Sequence, residues 1–471
     1  MADDKKIGLF ALIAIVVGSM IGGGAFNLAS DMAGAASPGA IILGWTITGI
    51  GMIALALSFQ NLNNKRPDLD GGVYSYASAG FGKFMGFNSA WGYWLSAWLG
   101  NVAYATLLFS SIGYFIPAFE GGQNIAAIIG ASVLLWGVHA LVLRGVHSAS
   151  LVNLVTTIAK LVPIFLFIII GIFAFNADIF LDDFWGTGAG FKFSDVMSQT
   201  KSTMLVTLWV FIGVEGAVVL SSRAKDKKDV GRATVIGLIS TLIIYVLISI
   251  MSIGAMNRAA VAGLENPSMA YVFKEMVGPW GATFINLGLI VSVLGAWLGW
   301  TLLASEIPYL AGKDKLFPKW FAKVNKNGAP ANSLWLTNGL IQLFLLTFLV
   351  SEQAYNFAFS LASSAILIPY AFSAFYQLKY SIQDTAADRT KNIIIGLVAS
   401  VYGIWMVYAA GIGYLLLTML LYAPGILIYR AVQKESDAKQ VFTKTEWAIA
   451  AAFIIFAGMA IVGLINGNIT I

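Results

Sequence analysis

The chain of 471 residues has no cysteine and only two histidines, His139 and His147. Without cysteine there are no disulfides and no thiolate metal sites, and two histidines are too few for a histidine-based metal site. Charged residues make up only 11% of the chain, and no catalytic pair or phosphate-binding glycine loop stands out in it. We therefore expect no metal, no cofactor and no enzymatic activity.

Hydrophobic residues make up 58% of the chain and form apolar runs from one end to the other. A membrane-spanning helix needs about 20 such residues, and these runs lack the polar face of a soluble protein's helices. The chain is therefore predicted to be an all-α integral membrane protein with about 12–13 spans. The predicted spans cover residues 7–35, 38–60, 84–117, 124–143, 149–175, 196–221, 232–256, 280–311, 332–351, 354–378, 392–410, 412–430 and 446–466.

Basic residues distinguish the two sides of the membrane. They cluster in the even-numbered connections, on the side of the N-terminus, whereas the odd-numbered connections are neutral or acidic apart from Lys192, Arg258 and Lys274. By the positive-inside rule, the N-terminus is predicted to be cytoplasmic and Ile471 to lie outside. The net charge of +5 does not indicate a nucleic-acid partner, because the basic residues lie in loops, where they set the topology.

Three consecutive glycines, Gly22, Gly23 and Gly24, lie in the middle of the first span. Each glycine costs a helix about 1 kcal/mol relative to alanine. Inside a bilayer, an unwound backbone is tolerated only where it is buried in protein or lines a polar cavity. The glycines therefore predict either a break between two half-helices or a site of close packing through small residues.

The sixth span also contains glycines in its middle: Gly213 and Gly216 bracket the ionisable Glu215. If spans 1–5 and 6–10 form two halves, the two breaks occupy corresponding positions, and an odd number of spans in each half requires inverted topology. We therefore predict an inverted five-plus-five repeat with broken helices 1 and 6, a fold of secondary transporters. The predicted transporter core comprises residues 1–378, with halves at about 7–175 and 196–378, and residues 379–471 add C-terminal transmembrane helices.

The two breaks offer complementary chemistry. The half-helix that follows residues 22–24 presents free backbone N–H groups and a positive dipole end, which suit a carboxylate. The half-helix that ends near Ile212 presents free carbonyls, which suit an ammonium group. Together they are expected to bind an α-amino acid, so we predict a carrier. A channel is the alternative from another class, but the sequence lacks the charged or carbonyl ring of a selective pore.

Two segments carry a resemblance to a known family. Gly18-Ser-Met-Ile-Gly-Gly-Gly-Ala-Phe26 resembles the broken first helix of the amino acid–polyamine–organocation (APC) transporters, and Thr207-Leu-Trp-Val-Phe-Ile-Gly-Val-Glu215 resembles their sixth helix. Residues 94–101 and 299–304 extend the resemblance, which runs in order over about residues 7–430. Within this superfamily, the chain is most similar to the basic amino acid/polyamine antiporters, which include arginine/ornithine, arginine/agmatine and histidine/histamine exchangers.

The resemblance implies roles for individual residues. Gly22, Gly23 and Gly24 would hold the substrate carboxylate, and carbonyls of Met20 or Ile21 and of residues 209–212 would take its α-amine. Trp300 would lie against the substrate side chain, a cation–π contact worth about 1–2 kcal/mol for a cationic substrate. The other residues implied are the pocket residues Ser19, Asn101, Tyr104, Ile212 and Ser364 and the gate residues Tyr93, Trp209, Glu215 and Tyr370.

Two residues set this chain apart from some of those relatives. Tyr104 follows Asn101 by one helical turn, on the same face, where arginine/agmatine exchangers have a slimmer residue. A tyrosine there shortens the pocket and favours side chains of ornithine or histidine size over a fully extended arginine. Lys160 lies in span five, where sodium-coupled relatives bind an ion, and its ammonium would replace that ion. We therefore expect proton coupling or plain exchange rather than sodium coupling.

The resemblance thus implies an antiporter that exchanges a basic amino acid for its metabolic product by alternating access. Arginine against ornithine is the leading expectation, because both carry the same net charge and their exchange is electroneutral. Histidine against histamine, another amino acid against its decarboxylated amine, and a proton-coupled amino acid permease are the alternatives. The expected partners are these small molecules and the lipid bilayer, here a bacterial cytoplasmic membrane; a homodimer is an open alternative to a monomer.

Overall fold

The computed structural model describes residues 6–186, 188, 190–349, 354–435 and 441–469. This part of the chain is helical and contains no β-strand, although an isolated parallel bridge joins Ile7 to Ala224. The prediction of an all-α protein is therefore confirmed.

The helices follow the predicted spans closely. Those of the first half are α1 (Leu9–Met20), α2 (Gly24–Ala35), α3 (Pro38–Lys65), α4 (Val73–Phe81), α5 (Lys83–Gly113), α6 (Ile125–Leu143), α7 (Val146–Ala174) and α8 (Ala177–Leu181). Those of the second half are α9 (Phe193–Phe211), α10 (Gly216–Val219), α11 (Lys227–Ala255), α12 (Arg258–Ala262), α13 (Ser268–Val277), α14 (Pro279–Lys313), α15 (Ala331–Thr347), α16 (Ala354–Ala365) and α17 (Leu367–Gln383). The chain then adds α18 (Arg389–Ala410), α19 (Ile412–Glu435) and α20 (Lys444–Ile465).

Ten helical segments in the described ranges are long and apolar enough to cross a membrane; one of them runs from Ser360 in α16 to Gln383 in α17. The bent pair α1–α2 raises the count to eleven. They account for eleven of the thirteen predicted spans, including the last, where α20 lies. The other two predicted spans correspond to α9 and α15. α15 has only 17 residues and is too short, whereas α9 is not apolar enough, because its first half is rich in serine, threonine, glutamine and charged residues.

Four short helices, α4, α8, α12 and α13, lie within connections where no span was predicted. The longest of them, α13, has 10 residues, and it is bounded by Pro267 and Gly278. Helices of this length cannot cross a bilayer. They cover the ends of the bundle instead, and α12 and α13 both pack on α2.

The two broken helices run antiparallel to each other. α1, which precedes the first break, packs on α10, which follows the second break; α2 in turn packs on α9. Two equivalent helices can meet in this crossed order only if one of them is inverted. The contacts therefore agree with the inverted repeat that two halves of five spans require.

Long helices enclose both breaks. α5 and α14 pack along each other, and α14 also contacts α1 and α7. α11 packs on α1 and α3, on the other side of the first break. The backbone that the breaks leave unpaired is therefore buried in protein, as a bilayer demands.

Candidate functional site

The first break leaves backbone donors without a partner. α1 ends at Met20 and α2 begins at Gly24, with an angle of 42° between them. Among the described residues, no hydrogen bond uses the N–H of Gly23, Gly24 or Ala25. These groups form the positive end of the α2 dipole and point away from the helix, so the break can bind an anion such as a carboxylate.

Close packing explains why this break is built from glycine. A Cβ atom on Gly22 would lie 2.5 Å from the hydroxyl oxygen of Tyr104, and one on Gly24 would lie 2.9 Å from the indole nitrogen of Trp209. A Cβ on Gly23 would collide with Leu107. Both readings of the glycines from the sequence are therefore correct: the helix is broken there, and side chains pack directly against the broken backbone.

The second break lies against the first. α9 ends at Phe211, α10 begins at Gly216, and Gly213 between them has φ of +111°, a conformation that favours glycine. The hydroxyl oxygen of Ser19 lies 2.9 Å from the carbonyl oxygen of Gly213. A Cβ atom on Gly213 would lie 2.6 Å from that hydroxyl. The two breaks are therefore in direct contact through Ser19.

Tyr245 joins the carbonyl ends of the two broken helices, and no pattern in the sequence pointed to it. This fully buried residue of α11 places its hydroxyl 2.7 Å from the carbonyl oxygen of Met20 and 2.9 Å from that of Val210. The Met20 carbonyl also accepts a hydrogen bond from the N–H of Gly22. Met20 therefore has little capacity left to bind a substrate amine.

Lys160 lies beside the first break, as the sequence predicts. Its side chain is fully buried, and its ammonium donates hydrogen bonds to the carbonyl oxygens of Gly18 at 2.7 Å and Ile21 at 2.5 Å. The hydroxyl of Ser292 lies 3.3 Å from the same Ile21 oxygen. Of the carbonyls predicted to bind the amine, that of Ile212 accepts no hydrogen bond within the described residues.

A small cavity lies where these elements meet. It is lined by Ser96, Gly100, Tyr104, Trp209, Ile212 and Trp300. Four of these residues are predicted site residues, whereas Ser96 and Gly100 were missed because they are ordinary small residues of a packed span. Ser96 donates a hydrogen bond to the carbonyl of Ala362 at 2.7 Å.

Aromatic rings form most of the cavity wall. The indole N–H of Trp300 donates a hydrogen bond of 3.0 Å to the carbonyl of Ser19, which fixes the ring against α1. Tyr93 stacks on Trp300 with ring centroids 6.3 Å apart, and Tyr104 lies 6.3 Å from Trp209. Such a wall suits a cationic or apolar side chain.

Glu215 and Tyr370 form a buried pair at the second break. The Tyr370 hydroxyl donates a short hydrogen bond to the Glu215 carboxylate. The N–H of Gly213 lies 3.3 Å from the same carboxylate and 3.3 Å from the Tyr370 oxygen. This pair ties α17 to the unwound segment of the sixth span.

Two predicted pocket residues lie outside the cavity wall. Asn101 is fully buried beside Trp300, with its amide nitrogen 3.5 Å from the Thr301 hydroxyl, and its Oδ1 has no partner among the described residues. Ser364 is also buried, but its hydroxyl donates to the carbonyl of Ser360 in its own helix. Neither residue lines the cavity in this conformation.

An ion pair links the second broken helix to α14, at the end that bears the basic loops. The Arg223 guanidinium donates two hydrogen bonds of 2.8 Å to the carboxylate of Glu306, which is buried. Two parallel hydrogen bonds between a guanidinium and a carboxylate fix both the distance and the orientation of the two groups.

Comparison with known proteins gives consistent matches. A family model described as amino acid permease matches residues 7–457. An arginine/ornithine antiporter of Pseudomonas aeruginosa is 49% identical over 480 residues, covering 100% of this chain and 99% of the relative. An arginine/ornithine antiporter of Latilactobacillus sakei is 46% identical over 471 residues, covering 99% of this chain and 98% of the relative.

Proposed function

The chain belongs to the amino acid permease family, and we propose that it is an antiporter that exchanges arginine for ornithine by alternating access. Its relatives are transporters, and the two described above are arginine/ornithine antiporters. The observation that carries the proposal is the pair of broken helices, whose unpaired N–H groups and unpaired carbonyl flank one aromatic cavity.

The backbone of the substrate binds at the breaks. The N–H groups of Gly23, Gly24 and Ala25 take the carboxylate, because they have no other partner in the described part of the chain and lie at a positive dipole end. The carbonyl of Ile212 takes the α-amine, since the carbonyls of Met20 and Ile21 already accept hydrogen bonds from the protein. These contacts are common to all α-amino acids, so they set the class of substrate rather than its identity.

The part of the cavity that receives the substrate side chain selects basic amino acids. Trp300 offers its ring face to a guanidinium or ammonium group, a contact worth about 1–2 kcal/mol when desolvated. Tyr104 closes the opposite wall and lies directly over Gly22. Asn101, one helical turn from Tyr104, enters the pocket when the cavity opens and satisfies its unpaired Oδ1 on the cationic side chain.

Exchange needs no sodium, because the Lys160 ammonium donates hydrogen bonds to the carbonyls that would otherwise bind a cation. Arginine and ornithine carry the same net charge, so one-for-one exchange moves no charge across the membrane. Glu215 with Tyr370, and Tyr93 stacked on Trp300, act as gates on either side of the bound substrate. The moving core comprises residues 1–378, and residues 379–471 brace it.

The chain is a multi-pass membrane transporter, and we place it in the bacterial cytoplasmic membrane with its N-terminus in the cytoplasm. The support is the concentration of basic residues at one end of the bundle, which includes Arg223 and Lys227. A homodimer stays a prediction, which the mass of the protein in lipid nanodiscs tests.

Uptake of labelled arginine into proteoliposomes tests the proposal. Vesicles loaded with ornithine should accumulate arginine rapidly, whereas empty vesicles should not. A potassium diffusion potential of either sign should leave the rate unchanged, because the exchange is electroneutral. Fast uptake into empty vesicles would mean a permease, and a rate that follows the potential would instead favour exchange of histidine against histamine.

A further inference from the structure

A second pocket opens at the end of the bundle opposite to the basic loops. It has a volume of about 240 Å³, somewhat below the range of about 300–1,000 Å³ typical for drug-sized ligands. Its walls come from the end of α5 and the connection that follows it, from residues 265–267 and α13, and from the first turns of α14. The lining includes Tyr114, Glu120, Glu265, Tyr271 and Asn286.

The lining of this pocket is acidic and rich in hydrogen-bond acceptors. Glu120 and Glu265 contribute two carboxylates, and none of the described residues that line the pocket is a lysine, arginine or histidine. Tyr271 places its hydroxyl 3.5 Å from the Glu265 carboxylate. Tyr271 is a neutral phenol at neutral pH, and burial together with the nearby Glu265 raises its pKa further. The pocket therefore carries net negative charge.

Asn286 gives an independent sign that the inner wall can bind a hydrogen-bond donor. Its side chain is only 2% exposed, and its amide nitrogen donates to the carbonyl of Ala282 at 3.0 Å. Its Oδ1 has no partner among the described residues, although it lines the pocket. A buried acceptor without a donor costs about 1–3 kcal/mol, which a bound N–H group would recover.

The pocket shares its two main helices with the substrate cavity. On α5, Ser110 lines the pocket and lies about 9 Å along the helix from Tyr104, which lines the cavity. On α14, Asn286 lies a similar distance, about 9 Å, from Ser292, whose hydroxyl touches the first break. The pocket is therefore the next recess beyond the substrate cavity toward that end of the bundle.

We propose that this pocket is a peripheral binding site for an organic cation with a guanidinium or ammonium group, and that it collects the basic amino acid before it enters the cavity. The identity of the ligand rests on the proposed function. The N–H groups of the cation bind Glu120, Glu265 and the Oδ1 of Asn286, and Tyr114 and Tyr271 flank it with their rings. A metal ion fits less well, since the described residues contain no group of three metal-ligating side chains.

The absence of cysteine makes a direct labelling test practical. S110C places the only thiol of the purified full-length protein in the pocket, and S194C places one at the exposed start of α9, at the same end, as a matched control. Labelling rates are measured with a trimethylammonium-ethyl and a sulfonatoethyl methanethiosulfonate reagent. We expect the ratio of cationic to anionic rates to be about tenfold higher for S110C than for S194C, because an acidic recess concentrates cations.

Protection by ligand then identifies what binds. L-Arginine, at a concentration at which W300L leaves the cavity largely empty, should slow the labelling of S110C. This protection should persist in W300L but vanish in E120Q/E265Q. Protection by arginine that is lost in W300L and kept in E120Q/E265Q would overturn the proposal. Stronger protection by calcium than by arginine would also overturn it, as would the absence of protection by both ligands. Pro117→Cys, at a lining position that the proposal gives no role, serves as a second reporter if S110C does not fold. Labelling requires no transport, so failure of exchange in proteoliposomes would count against the proposed function alone.

Discussion

The ammonium nitrogen of Lys160 lies 2.5 Å from the carbonyl oxygen of Ile21, the first residue of the break in the first span. A charged side chain deep in a bilayer protein is expensive unless it is paired, and here two backbone carbonyls pair it. The same contact satisfies carbonyls that the end of α1 leaves open. Lys160 and the glycine break therefore depend on each other.

Removing this ammonium should impair both stability and transport. In K160A the carbonyls of Gly18 and Ile21 lose their charged donor, which costs about 1–3 kcal/mol for each buried group left unpaired. We expect a lower melting temperature, about tenfold slower exchange, and partial rescue by sodium that the parent does not show. K274A, which removes an exposed lysine, is the control. Parental melting and exchange in K160A would contradict the role given to Lys160.

Substitution of Gly22 by alanine should block the site through Tyr104. The added Cβ would lie 2.5 Å from the Tyr104 hydroxyl oxygen, so the ring must move or the break must shift. We expect G22A to weaken arginine binding about tenfold or more, as measured by calorimetry, and G22A/Y104A to recover part of the loss. G34A in the same span has open space around its Cβ and should bind normally. Normal binding by G22A would show that Tyr104 does not close the pocket over the break.

Trp300 should separate binding of cationic side chains from binding of the amino acid backbone. W300L removes the ring that stacks on Tyr93 and the indole donor to Ser19. Loss of about 1–2 kcal/mol of cation–π energy predicts an arginine Kd about 5–30-fold higher, and W300F should lie between W300L and the parent. W320L changes an exposed tryptophan and serves as the control. An unchanged arginine Kd in W300L would remove Trp300 from the site.

The Arg223–Glu306 pair should stabilise the end of the bundle that bears the basic loops. In R223A the buried Glu306 carboxylate loses its guanidinium, and the cost should fall below the about 3–5 kcal/mol of fully buried pairs because Arg223 is 25% exposed. Thermal unfolding should show a clearly lower melting temperature for R223A, a smaller decrease for R223A/E306Q, and no decrease for K225A. Equal losses of stability in the single and double variants would mean that Arg223 does not stabilise the protein through Glu306.

Local chemical signals explain what the sequence could predict. Glycines in mid-span, together with a lysine and a glutamate within the membrane, are costly, so they mark the breaks, Lys160 and Glu215 without any knowledge of packing. The aromatic residues Trp209 and Trp300 came from the resemblance to a family, since tryptophan is common in this chain. These residues do meet at one cavity or beside it.

Other features depend on which helices meet, and the sequence does not display that. Tyr245 and Ser292 are ordinary residues of apolar spans until α11 and α14 pack against the first break. Their hydrogen bonds occupy the carbonyls of Met20 and Ile21, which moves the proposed amine site to Ile212. The short helices α4 and α13 were missed for a related reason, because neither is long enough to show as a span.

Obligatory one-for-one exchange of arginine and ornithine is tested by counting both substrates in one preparation. Proteoliposomes are loaded with carbon-14 ornithine and given tritiated arginine outside, and both labels are followed through the first seconds. Obligatory exchange predicts that each arginine gained matches one ornithine lost, and that neither label moves when the opposite side is empty. Arginine entry without an equal release of ornithine would contradict the account.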